Sequence, residues 1–278
     1  PRETRNSRQA ARPPAVVPCV IAVPGGAMGS WFIARSAGEV MALGVMYFAV
    51  LYFATGGATW WFVHRVCPAM GFGRTIDTRP LSHGQLRREV VASLRSILVF
   101  GLGLVVPWGM LRLGWAKLAV DPSGWRVAIE IVVLFFWNEL HFYVNHRLLH
   151  TRRLRRFHAA HHRSTVATPF STYAFHPVEA VMLGSVPLVP MLLHDFSFIA
   201  LATLPVMSIV LNNLGHANYE FSRTAPARGW RGASRRHQLH HAHSRGNFGF
   251  LLEVFDRAFG SVIPADAGRR QGGGRDNA

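Results

Sequence analysis

Apolar residues in this chain come in long blocks. From Val40 to Val63 the run VMALGVMYFAVLYFATGGATWWFV is apolar throughout. At about 1.5 Å per residue it is long enough, as a helix, to cross a hydrocarbon layer of about 30 Å. A second block runs from about Val90 to Leu113, where Pro107 is expected to kink the helix, and a third covers about Arg126 to Asn145. The stretch from about Pro177 to Leu214 is apolar with a break at His194–Asp195. It reads as a helical hairpin that dips into the bilayer and returns, its short arms leaving partial insertion open. The pattern predicts an all-α integral membrane protein of about three transmembrane helices plus a helical hairpin. Its parts are an N-terminal tail (1–36), N-terminal transmembrane helices (37–125), a domain rich in histidine (126–263) and a flexible polar end (264–278).

The tail opens PRETRNSRQAARPP, arginine-rich and expected to be disordered, and Pro14, Pro18 and Pro24 make a poor helix of the weakly apolar run AVVPCVIAVPGGAMGSWFIA after it. Because the first residue is not methionine, Met28 is an alternative start. The formal charge is +16, and of 30 basic residues only Lys117 is lysine. The arginines flank the apolar spans and form no aromatic-interleaved face, so no nucleic-acid partner is expected. Placing 65–88, 147–163 and 223–245 on the cytoplasmic side puts the N-terminal tail outside, against its own Arg2, Arg5, Arg8 and Arg12. Cys19 and Cys67 form no motif, so a redox metal would have to rest on histidine.

Thirteen of the 15 histidines fall between His141 and His243, a clustering that packing alone does not explain. His146 and His150 are four apart and project from a helix about 40° from one another. His158, His161 and His162 span an arc of about 100° on a second helix, and His237, His240 and His241 repeat that triplet. Imidazoles so crowded would repel when protonated and cost desolvation when neutral, which points to metal. Iron, zinc and copper all suit imidazole, so the residues do not name the ion.

The stretch ELHFYVNHRLLH, then FHAAHH, HQLHH, NFG and FDRAFG, resembles the fatty acid hydroxylase superfamily over about residues 126–263. That integral-membrane group contains sterol desaturases, sterol C4-methyl oxidases and sphingolipid or fatty-acid hydroxylases. The resemblance implies a cytosolic helical cap carrying a di-metal site of two iron ions, zinc being able to fill the same cage. It further implies dioxygen as co-substrate and hydroxylation or desaturation of a lipid drawn from the bilayer.

Carried over, the ligands are His146, His150, His158, His161, His162, His216, His237, His240 and His241. Asn212 stands where some members place another histidine, and His176 is either a ligand or a packing residue. His141 is expected to be structural and His243 to lie outside the cage. Glu139, two turns before His146, aligns with an acidic residue common in the family and is expected to orient a ligand. Glu179, Glu253 and Asp256 are weaker candidates, Asp256 being expected to hold Arg257 or a local helix end.

An aliphatic C–H bond is too strong for side-chain acid–base chemistry, so a metal that reduces dioxygen is the natural agent. With no flavin, haem or cysteine-cluster motif, a separate electron donor is implied: a ferredoxin, cytochrome or reductase. Arg152, Arg153, Arg155, Arg156, Arg235 and Arg236 would meet that acidic carrier or phospholipid headgroups. Residues 166–175 and the hairpin are where a substrate slot is expected. The expected location is a bacterial inner membrane, the protein multi-pass and its site facing the cytoplasm. A metal transporter or sensor and a non-catalytic scaffold are the rival readings, although histidines at helix ends argue against transport.

Overall fold

The computed structural model describes residues 26–222 and 229–264. The expectations for residues 1–25 and for the polar end beyond 264 fall outside those residues. Within the region assigned to the tail, Gly26–Ile33 (α1) is helical.

Ser36 starts the next helix, Ala37–Trp61 (α2), through a capping box in which its hydroxyl accepts from Glu39 N and its own N–H meets Glu39 Oε2. The helix continues through a π-helical turn, Phe62–Val66, and on through Pro68 to Ala69. The second block divides into Gln85–Gly103 (α3) and Val105–Arg112 (α4). The break falls at Leu104, just before the expected kink at Pro107. That proline has no N–H to offer the carbonyl of Gly103, and its ring crowds the same group, so the disruption lies a turn earlier than the residue causing it. The third block is Gly124–Leu149 (α5), capped by Ser123.

The predicted hairpin is unequal. Its first arm divides into Pro177–Gly184 (α6) and Leu188–Leu193 (α7), while the return arm is the continuous Phe198–His216 (α8), capped by Ser197. Among the described residues, four helical stretches are therefore long and apolar enough to cross a membrane: α2 with its continuation to Ala69, the α3–α4 pair, α5 and α8. Ala233–His243 (α9) and Val254–Ala258 (α10) come last.

Lipid chains are as apolar as leucine, so these helices are held by close approach and polar contacts. A Cβ on Gly44 of α2 would lie 2.6 Å from the carbonyl oxygen of Gly101 in α3, a contact only glycine allows. Asn213 of α8 donates to Thr55 of α2 at 2.9 Å, and Ser208 of α8 donates to Asn138 of α5 at 2.7 Å. Each such bond contributes about 0.6–2 kcal/mol. Val50, Phe53, Leu98, Val132 and Phe136 are exposed while Asn138, Glu139 and Asn213 are buried, an inside-out arrangement suited to a bilayer.

At the histidine-bearing end, Arg74–Thr75 (β1) pairs antiparallel with Tyr219–Glu220 (β2). The buried Glu220 carboxylate accepts from Arg235 at 2.6 Å and from Arg74 at 2.8 Å. The Arg235 guanidinium does most to hold that carboxyl down, to about 2. The pairing ties the start of α9 to the end of α8.

Candidate metal centre

Nine imidazoles from four parts of the chain meet between the ends of α5, α8 and α9. They form two groups: His146, His150, His158, His162 and His240 in one, and His161, His216, His237 and His241 in the other. Within each group, one ring nitrogen of every member lies within 4.8 Å of those of the rest. The triplets are shared between the groups. On α9, helical geometry sets His237 and His241 about 40° apart and His240 about 100° from His241, so one helix serves both groups.

The 158–162 segment reaches the same division without the continuous helix expected of it. Residues 155–158 make one α-turn and 161–163 a 3-10 turn, sending His158 and His162 to the first group and His161 to the second. The change of winding is local, as is usual where a short helical segment ends.

Hydrogen bonds set the tautomers. Nδ1 of His146 lies 2.9 Å from the Phe248 carbonyl, that of His240 2.8 Å from Gly246 O and that of His216 2.9 Å from Asn212 O. Nδ1 of His158 lies 2.7 Å from Glu179 Oε1. These acceptors require the proton on Nδ1, which leaves Nε2 a bare lone pair. Yet the Nε2 atoms face one another: His146 and His158 at 3.1 Å, His161 and His216 at 3.2 Å, His162 and His240 at 3.1 Å, His216 and His237 at 3.0 Å.

His146 and His158 both have Nδ1 on an acceptor, so their facing Nε2 lone pairs repel at 3.1 Å unless a cation lies between them. Metal–nitrogen bonds of about 2.1 Å at right angles put neighbouring nitrogens about 3.0 Å apart. The donor set therefore fits two metal ions. Protons are a poor substitute, because burial, and after it the neighbouring imidazoles, hold His158, His161, His237, His240 and His241 well below the ordinary histidine value.

The carboxylates divide the supporting work differently from the expectation. Glu139 is fully buried and accepts from the backbone N–H of Leu251 at 3.0 Å and of Leu252 at 2.9 Å, with no imidazole among its hydrogen-bond partners. The hairpin's Glu179 is the one that bonds an imidazole of the cluster, His158. Asp256 accepts from the N–H groups of Phe248 and Gly249, and Arg257 pairs with Glu253 instead. Glu139 and Asp256 thus hold the two ends of loop 248–252, whose Phe248 carbonyl fixes His146. A sequence signal for Glu179 existed in FHPVE, where it is the third residue of a proline-started helix. The loop's role had none, since it depends on contacts more than a hundred residues apart.

His176 belongs to neither group: its Nδ1 caps α6 by accepting from Val178 N at 3.1 Å. His141 meets the Ser185 hydroxyl at 3.2 Å, and Asn212 donates to the Thr172 carbonyl. His243 also lies outside both groups. Arg152, Arg153, Arg155 and Arg156 are exposed. Arg235 and Arg236 are spent internally, the first on Glu220 and the second on the carbonyls of Gly229 and Leu251, so they are not part of a docking face.

The fatty acid hydroxylase family model matches residues 131–261. The Delta(7)-sterol 5(6)-desaturase of Candida glabrata is 30% identical over 225 residues, covering 76% of this chain and 57% of that protein. That of Saccharomyces cerevisiae is 27% identical over 228 residues, 78% of this chain and 58% of the relative. The lathosterol oxidase of Mus musculus is 27% identical over 210 residues, 70% of this chain and 69% of the relative. The chain thus spans a little under three fifths of the length of the two yeast relatives. All three relatives are eukaryotic and lend no support to a bacterial inner membrane. No solved structure matches.

Proposed function

We propose, from the match of residues 131–261 to the fatty acid hydroxylase family model, that the protein is a membrane-bound di-iron oxidoreductase that desaturates a sterol-type lipid. The observation that carries the reading is the pair of interleaved imidazole groups, their Nε2 atoms facing one another at 3.0–3.3 Å. The names of the relatives support a sterol-type substrate and the removal of two hydrogens, with hydroxylation as the other outcome of the same chemistry.

The balanced reaction takes two hydrogens from adjacent carbons and, with dioxygen, two electrons and two protons, yields a double bond and two waters. Metal ions bound by the nine histidines would supply the dioxygen chemistry. The chain's residues do the rest. Glu179 and the carbonyls of Gly246, Phe248 and Asn212 orient imidazoles through Nδ1. Glu139 and Asp256 fix the loop that carries Phe248. Phe142, Leu149, Phe175 and Leu183 line a void of about 10 Å³ against His146, His158 and His161, keeping bulk water from ligands of both groups. In this reading the histidine-bearing end faces the cytoplasm, as its exposed arginines favour. Electrons arrive from a separate acidic carrier at Arg152, Arg153, Arg155 and Arg156.

The test is metal analysis of the purified protein together with lipid mass spectrometry. Two irons per chain, and a sterol product lighter by two hydrogens that requires oxygen and reductant, are expected. A product heavier by one oxygen would assign hydroxylation instead. Tightly held zinc with no product under reducing, aerobic conditions would refute catalysis.

A further inference from the structure

A second cavity, of about 340 Å³, lies where the π-helical end of α2 meets the β1 loop. Its size falls within the range of small-molecule sites, about 300–1,000 Å³. None of the nine imidazoles lines it, but it shares walls with the metal centre: Ala217 follows His216, and Val166 comes four residues after His162.

The cavity has two kinds of wall. Trp60 and Val63 bring the end of an apolar span, at the level where Arg65 and a polar loop take over. Opposite stand Thr75, Asp77, Thr78 and Arg79. The charges there cancel. Arg79 reaches both oxygens of Asp77 at 2.6–3.1 Å, and Gln238 Nε2 adds a contact to Asp77 Oδ2 at 3.1 Å. Asn218 spends its amide on the backbone N–H and carbonyl of Asp77. His64 has Nδ1 on the Trp60 carbonyl, at 2.9 Å, and its ring stacked on Trp60. What is left for a ligand, among the described residues, is the hydroxyls of Thr75 and Thr78, Nε2 of His64 and Nη1 of Arg79, whose charge Asp77 already balances.

Such a lining suits a polar group that both donates and accepts while carrying no charge, attached to an apolar body. An anionic headgroup would meet a guanidinium already neutralised by Asp77 and lie beside that carboxylate, and a cationic one would lie against Arg79. We propose that this cavity binds the hydroxyl end of a neutral, alcohol-bearing lipid, its apolar body lying against the end of α2. Gln238 stands between His237 and His240 on α9 and also donates to the Thr165 carbonyl, so the wall that meets the lipid is bonded to the ligand helix. The inference rests on the proposed function only in the choice of a sterol as the probe.

The experiment is photolabelling of the full chain in nanodiscs, metal content measured in parallel. The probes are a sterol with a free 3-hydroxyl and a diazirine on its body, and the same molecule as its 3-sulfate. The alcohol is expected to label peptides holding residues 60–64 or 75–81, roughly tenfold more than the sulfate. Thr78→Trp, which fills the mouth from an exposed position, is expected to cut that labelling at least about fivefold with metal content unchanged. Thr75→Trp serves should the first variant fail to purify.

Equal labelling by both probes, labelling confined to other segments, or labelling indifferent to the tryptophan would overturn the site. The readout needs no turnover. Sterol oxidation without this labelling sinks the site alone, and labelling without oxidation sinks the proposed activity alone.

Discussion

Replacing Glu139 tests whether this carboxylate works through the loop or on the reacting atoms. Its fully buried side chain accepts from Leu251 N at 3.0 Å and from Leu252 N at 2.9 Å. Glu139→Ala leaves two backbone donors without an acceptor, at about 1–3 kcal/mol each. Both leucines are half-buried, so the lower part of that range applies, about 2–4 kcal/mol in all. For a chain of this size that is a fall of about 5–15 °C in the apparent melting temperature of the metal-free protein. The same change releases the far end of the loop whose Phe248 carbonyl fixes the His146 tautomer, while Asp256 still holds Phe248 itself, so metal affinity should fall toward the lower end of about 10–100-fold. Glu139→Gln keeps one acceptor and should lie between the two. Thermal unfolding in detergent and metal titration are the assays. An alanine variant that melts and loads like the parent would refute the loop argument. A glutamine variant with normal melting and metal content but no product would mean that Glu139 touches the substrate or the metals.

His240→Ala and His161→Ala should each abolish product by stripping one ligand from the five- and four-histidine groups respectively, while His243→Ala should retain both metals and activity; product and metal assays on the three variants decide it. Glu179→Ala should lower metal affinity about 10–100-fold by releasing the His158 tautomer, and Glu179→Gln, which can still offer an oxygen to Nδ1, should recover much of that loss in a competition titration. Metal-free protein should lose stability as pH falls below 6.5: the unfolded chain then takes up protons that the folded histidines refuse, with His162 protonating in the fold only at about 4. Calorimetry showing stability flat or rising between those values would contradict it. Chelation at neutral pH should lower the melting temperature, and added zinc should restore it without restoring product.

Local geometry was legible along the chain. The length of an apolar run decides whether a helix can cross a bilayer, and the spacing of His237, His240 and His241 sets their angles on α9 before anything packs against it. The pairing of ligands into groups was not. It required α5, α8, α9 and the 155–163 turns to meet, and those contacts join residues such as His146 to Phe248 and His161 to His216, far apart in the chain. Glu139 shows the limit most plainly. Its position two turns before His146 suggested a direct hold on a ligand, but side chains seven apart on one helix are stacked about 10 Å from each other. Only the folded loop could show that Glu139 acts on the backbone that in turn holds the imidazole.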